Sequence, residues 1–153
     1  VTGVQTCALP IFQQTLTMFQ LDIESRVIDL QLELADVGGV VLDKQATLQV
    51  LANLVRNAID ALEAVDVRRR LDVRLRADDH KLYFEVEDNG CGIHPEHLPQ
   101  LFQHGFSTKP NGHGFGLHTS AIAARTMNGT LEAHSDGPGR GARVCLTLPR
   151  ILP

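Results

Sequence analysis

The chain has 153 residues, 43% of them hydrophobic and 21% charged, with a net charge of −4. That is enough for one globular domain with its own core. The acidic balance provides no field for nucleic acid or an anionic membrane, and no apolar run approaches the roughly 18 residues of a membrane span.

The first eleven residues, Val1-Thr2-Gly3-Val4-Gln5-Thr6-Cys7-Ala8-Leu9-Pro10-Ile11, resemble the translation of a sequencing-library adapter. They lack the basic start and long apolar centre of a signal peptide. Residues 1–11 are therefore expected to be an artefact outside the fold. Residues 12–24 read as a linker or the tail of a preceding helix, and residues 25–153 as the domain proper.

Residues 26–35 alternate apolar and polar side chains, the period of a half-buried strand. Asp36-Val37-Gly38-Gly39 is a turn and residues 40–42 a second short strand. Asp43 reads as an N-cap. From residue 44 to about 64, Leu48, Leu51, Ala52, Leu54, Val55, Ala58, Ile59 and Leu62 recur at helical spacing, marking the longest and central helix. Residues 71–77 and 82–86 alternate again, joined by Asp78-Asp79-His80-Lys81 as a hairpin. Residues 95–102 predict a short helix with Pro95 in its first turn. Residues 103–114, rich in Gly, His, Pro and Asn, predict a mobile loop. Residues 115–127 predict a second long helix stopped at Asn128-Gly129. Residues 130–135 and 143–148 are closing strands. Hairpins without strict βαβ alternation predict an α+β, two-layer sandwich on a mixed sheet.

On the central helix, Asn53 and Asn57 lie four residues apart and share a face, which Asp60 and Ala61 continue. An amide oxygen is a hard ligand suited to Mg²⁺. The same face also reads as a solvated helix surface, although Asn is a poor helix former. Asp88-Asn89-Gly90-Cys91-Gly92 follows a strand. An ionised Asp88 only accepts hydrogen bonds and could take the exocyclic amine of adenine, with Gly92 letting the ring approach the backbone. Asn-Gly is equally a hairpin turn signal, but the residues that follow look helical rather than like a return strand. Gly112-His113-Gly114-Phe115-Gly116-Leu117-His118 places glycines at a helix start. Free N–H groups and the helix dipole there attract phosphate oxygens; a loose loop is the alternative. The dinucleotide fingerprint spacing is absent. Thr108 and Lys109 precede this loop, where a lysine either neutralises phosphate charge or is simply solvated.

The remaining candidates are blander. Arg68-Arg69-Arg70, with Arg74 and Arg76, reads as a solvated helix-to-strand junction in an acidic chain with 5% aromatics. None of the seven histidines has a ligand-like or triad-like spacing, and only His113 and His118 adjoin the glycine loop. Cys7, Cys91 and Cys145 have no metal-like spacing and fit a reducing, cytoplasmic setting.

In order, these runs resemble the N box, first glycine box and second glycine box of the GHKL superfamily, the Bergerat-fold ATP-binding domains. Phe102-Gln103-His104-Gly105-Phe106-Ser107-Thr108-Lys109 resembles the F box between them, and Gly139-Arg140-Gly141-Ala142 the last glycine box. The resemblance spans about residues 25–150 and is greatest to the catalytic domains of bacterial two-component sensor histidine kinases. It implies a mixed, mostly antiparallel sheet covered on one face by about three helices. It implies ATP and Mg²⁺ as cofactors. Asn57 would coordinate the metal, and Asn53 would contact the phosphates or the metal's waters. Asp88 would bind the adenine amine in a pocket shaped by Gly90 and Gly92 and lined by Asp60 and Ile93. Gly112, His113, Gly114, Phe115, Gly116, Leu117 and His118 would form the phosphate-side lid, with Phe106, Thr108 and Lys109 on its near edge.

Members of the superfamily resembling gyrase, MutL and Hsp90 carry a glutamate where this chain has Asn53, acting as general base on the attacking water. An amide cannot take that proton at neutral pH. Phosphoryl transfer to a protein nucleophile is therefore favoured over rapid hydrolysis. No histidine precedes Glu or Asp as in a phosphoacceptor hairpin, so the dimerising acceptor domain is expected upstream of Phe12. The fragment alone would be a monomer with nothing of its own to phosphorylate. The whole kinase would be a homodimer that passes phosphate to a response regulator, and this reading leaves room for an anchor in the inner membrane. An anti-sigma-factor serine kinase, a GHKL-type ATPase and a non-catalytic nucleotide-binding module are the other readings.

Overall fold

The computed structural model describes residues 4–103, 105–106 and 116–153. The order is β1 (Val4–Cys7), α1 (Ala8–Met18), α2 (Gln20–Ser25), β2 (Asp29–Leu34), β3 (Gly39–Leu42), α3 (Lys44–Glu63), β4 (Arg70–Ala77), β5 (Lys81–Asp88), α4 (Gly116–Thr126), β6 (Thr130–His134) and β7 (Ala142–Pro149). Five strands form one sheet in the order β2-β4-β5-β7-β6. Only β2 and β4 run parallel, because β3 and α3 intervene as a crossover. The other pairs are antiparallel. β3 pairs not with β2 but with β1, in a separate two-stranded ribbon.

Period-two alternation decides the faces. Leu71, Val73 and Leu75 of β4, Leu82, Phe84 and Val86 of β5, and Leu146 and Leu148 of β7 point inward and are buried. α3 covers them with Val50, Leu51, Leu54, Val55, Ala58, Ile59 and Leu62. The Asp43 carboxylate caps α3 by accepting from the Ala46 amide at 3.0 Å. The opposite sheet face is polar: Arg74 donates to Glu85 at 2.5 Å and to Glu87 at 2.9 Å. A face carrying this many charges faces water, so the helices collect on one side only.

Residues 12–24, read as a linker or the tail of a helix, are helical: they fall in and between α1 and α2, and Phe12, Leu16, Phe19 and Ile23 are buried in the same core. The Phe12 ring packs on Phe84 with centroids 5.6 Å apart. Residues 4–11, expected outside the fold, supply β1 and the first turn of α1, with Ala8 and Ile11 buried. A backbone ladder needs no particular side chains, and Pro10 is tolerated in a first helical turn. The helix expected over residues 95–102 shrinks to a 3₁₀ turn, Leu98–Gln100. Pro99 inside the segment removes an N–H and disfavours helix at the residue before it. α4 stops as expected: Asn128 adopts φ +61° and the Gly129 amide donates to the Ala124 carbonyl at 2.8 Å. Among the described residues no helix is long and apolar enough to cross a membrane.

Candidate functional site

α3 buries one face in the core. Its other face carries Asn53, Asn57, Asp60 and Ala61, and all four are half-buried rather than solvated. Two segments remote in sequence close over it. At one end Asn53 Nδ2 donates to Ser120 Oγ at 3.0 Å and to the Gly116 carbonyl at 3.4 Å, joining α3 to the first turns of α4. At the other end the Cys91 amide donates to the Ala61 carbonyl at 3.1 Å, joining α3 to the loop after β5. The asparagine face therefore bridges the loop bearing Asp88 and the helix start bearing Gly116.

Asp88 ends β5 and is 9% exposed. Burial pushes its carboxyl up to about 6, partly opposed by hydrogen bonds from the Gly90 and Ala142 amides. The Gly90 contact is 2.8 Å. A buried carboxylate at a site wall is suited to a ligand donor that replaces lost solvent. Gly90 is required by close approach: a Cβ there would stand 2.5 Å from the Ala61 carbonyl oxygen. Gly92 has φ +73°, and a Cβ would collide with the Gly137 carbonyl. Its glycine thus serves the packing of two loops, a need the sequence did not reveal.

Asn89, which resembles half of a turn signal, does something else. Its Oδ1 accepts from the Arg70 amide at 2.7 Å and its Nδ2 donates to the Arg68 carbonyl at 2.7 Å. The side chain mimics a strand and fixes Asp88 against the start of β4. Ser135 is the second residue that sequence reasoning passed over. Its Oγ accepts from the Ile93 amide at 3.0 Å and donates to the Gly141 carbonyl at 2.6 Å. The Gly141 and Gly139 amides in turn donate to Gly90 and Cys91 carbonyls at 3.2 and 2.7 Å. No sequence signal marks Ser135 beyond its place in a polar loop, because the partner that ties this loop to the Asp88 segment, the Ile93 amide, is 42 residues away.

The remaining candidates divide. Asp60 and Ile93 are half-buried beside this wall. Leu117 packs against the core. His118 Nδ1 lies 3.0 Å from the Phe102 carbonyl; a carbonyl only accepts, so Nδ1 carries the proton. The Phe106 ring lies tilted against that of His97 with centroids 5.4 Å apart. Thr108, Lys109, Gly112, His113, Gly114 and Phe115 lie outside the described residues. The arginine run is a structural junction: Arg69 donates to the Arg26 and Val65 carbonyls, while Arg68 and Arg70 pair with Asp29 and Asp72.

Among the described residues no group of three or more His, Cys, Asp or Glu could hold a metal. The oxygen donors on the site face are the amides of Asn53 and Asn57 and the carboxylate of Asp60. That set suits a hard cation that keeps waters and shares a ligand's phosphates, as Mg²⁺ does, and not a thiolate- or imidazole-bound metal.

Residues 42–151 match the family described as histidine kinase-, DNA gyrase B- and HSP90-like ATPase. The chain is 34% identical over 110 residues to a probable C4-dicarboxylate sensor kinase of Bacillus subtilis, covering 71% of this chain and 20% of that protein. It is 35% identical over 144 residues to the sensor protein TorS of Escherichia coli, covering 92% of this chain and 15% of that protein. The chain thus spans a fifth or less of the length of these curated relatives. Its fold matches the catalytic domain of the histidine kinase ThkA in a nucleotide-free form, with TM-score 0.86, 21% identity and 99% of each chain covered. It also matches full-length ShkA in complex with AMPPNP, with TM-score 0.88, 19% identity, and 100% of this chain and 32% of that one covered. With the family model matching most of the chain over the site just described, the protein belongs to the histidine kinase-, DNA gyrase B- and HSP90-like ATPases.

Proposed function

We propose that the chain is the ATP-binding catalytic domain of a sensor histidine kinase, which holds Mg-ATP and passes the γ-phosphoryl group to a histidine on a separate dimerisation domain. The observation that carries this reading is the half-buried face of α3. It presents amides at Asn53 and Asn57 between the Asp88 loop and the start of α4, and it has no carboxylate at position 53 to activate water. Asp88 would accept from the adenine amine. Asn57 would hold Mg²⁺, which supplies charge neutralisation at the phosphates. The whole kinase would be a homodimer that serves a response regulator. The similarity of residues 1–11 to an adapter remains our reading of their origin, and resequencing the gene across Phe12 tests it.

The decisive experiment mixes this domain with the helical hairpin encoded upstream and labelled Mg-ATP. Acid-labile phosphohistidine on the hairpin is expected. Sustained phosphate release by the domain alone would favour an ATPase, and phosphoserine on a protein partner would favour an anti-sigma-factor kinase. Asn57→Ala is expected to remove most of the Mg²⁺ dependence of ATP binding, at least about tenfold for a lost metal ligand. Equal wild-type affinity with and without the metal would refute that role.

Binding should also follow pH. With Asp88 titrating at about 6, the carboxylate is mostly ionised at pH 7 and mostly protonated at pH 5. The Kd for adenosine, which has no phosphate to titrate, is expected to rise about tenfold across that interval. A flat profile would exclude the charged carboxylate as the amine acceptor.

A further inference from the structure

Two roles are open for Asn53 within the proposed site: a bond to the phosphates, or a bond to the metal's waters. The amide's orientation separates them. Nδ2 is a donor and Oδ1 an acceptor, and a phosphate oxygen is itself an acceptor. Only Nδ2 can therefore reach a phosphate, whereas only Oδ1 can take a proton from metal-bound water.

The structure commits Nδ2 elsewhere. It donates to Ser120 Oγ at 3.0 Å and leans on the Gly116 carbonyl at 3.4 Å. A hydroxyl could partner either end of the amide, but a carbonyl oxygen accepts only, so Gly116 fixes which end faces α4. Ser120 is 1% exposed, and its hydroxyl is held on the inner side of a helix that packs against α3. Among the described residues Oδ1 of Asn53 takes no hydrogen bond.

We propose that Ser120 is a positioning residue. By engaging Asn53 Nδ2 it turns Oδ1 into the nucleotide site as an acceptor, so that Asn53 serves a metal-bound water and not the phosphates. This rests on the nucleotide-site reading above. It also gives α4 a direct part in the metal site, because the helix that begins at the glycine loop sets the orientation of an amide on α3.

The test uses this chain and three titrations: adenosine, ATP with a chelator, and ATP with increasing Mg²⁺. Ser120→Ala removes the acceptor, and Ser120→Thr keeps the hydroxyl. For Ser120→Ala, the Mg²⁺ concentration needed for half-maximal tightening of ATP binding is expected to rise about fivefold, the worth of one ordinary hydrogen bond. Adenosine and metal-free ATP should bind within about twofold of wild type. Ser120→Thr should restore the Mg²⁺ response. In NMR spectra, the Asn53 side-chain NH₂ signals should be protected from exchange before any nucleotide is added, unmoved by metal-free ATP, and unprotected in Ser120→Ala. If Ser120→Ala weakens metal-free ATP as much as Mg-ATP, Asn53 donates to phosphate and the proposal is overturned. An unchanged Mg²⁺ response, or one that Ser120→Thr fails to restore alongside intact adenosine binding, overturns it as well. Failure of the wild type to bind adenosine would instead strike the nucleotide-site reading itself.

Discussion

Asp88→Asn is expected to weaken adenosine and ATP binding about a hundredfold while making the empty domain more stable. Both effects come from one property, a carboxylate held at 9% exposure with its pKa raised to about 6. The amide loses the charge that strengthens a bond from the adenine amine, and it presents an N–H where a donor must be received. A charge-assisted bond contributes about 1.5–3 kcal/mol, and the mismatched donor adds to that loss. The stability gain has a definite sign and window. An acid that titrates higher in the fold than in the unfolded chain keeps its proton longer in the fold. The contribution of Asp88 to stability is therefore greatest below its ordinary value of 3.8, falls as pH rises towards 6, and is level above that. A difference of about two pKa units corresponds to roughly 3 kcal/mol as an upper limit at neutral pH. Thermal unfolding of Asp88→Asn against wild type should diverge above pH 6 and converge near pH 4. Calorimetric titration with adenosine reads the other half. Unchanged affinity would remove Asp88 from the adenine site.

The second large effect is expected at Gly90. Gly90→Ala drives a methyl group to 2.5 Å from the Ala61 carbonyl oxygen and 2.6 Å from its carbon. The obstacle is helix backbone and cannot rotate away, so the loop must lift from α3. Lifting breaks the Cys91 to Ala61 hydrogen bond and disturbs the Gly141 to Gly90 contact. Overpacking of this kind costs about 3 kcal/mol, or about 10 °C in Tm for a chain of this size. Adenosine binding should be lost even below the new Tm, because the wall bearing Asp88 no longer meets the asparagine face. A variant that binds normally would show that the loop and α3 need not be in register.

Much of this was legible along the chain. The 3.6-residue period of α3 survived because its apolar stripe is buried on one side, as local pattern requires. Strand alternation gave the inner sheet face for the same reason. Family resemblance marked the candidate motifs, and Asn53 and Asp88 drew the proposed roles from the chemistry of an amide and a carboxylate. Packing adds a requirement for glycine at two positions that the sequence did not show: Gly90 answers to helix backbone and Gly92 to a carbonyl 45 residues downstream. Residues 12–24 read only as a linker or a helix tail because their burial depends on Phe84 and α3, which lie elsewhere in the chain.

What the sequence determined by itself was therefore the long elements from β2 onward, their buried stripes and the chemical types available at each motif, since these follow from propensity and spacing. Only the tertiary structure decided which groups meet. Asn53 faces Ser120 across 67 residues of sequence, Asn89 completes a strand that begins 19 residues earlier, and Ser135 ties Ile93 to Gly141. Hydrogen-bond partnership and amide orientation depend on distances of about 3 Å between remote segments, and no local pattern encodes those.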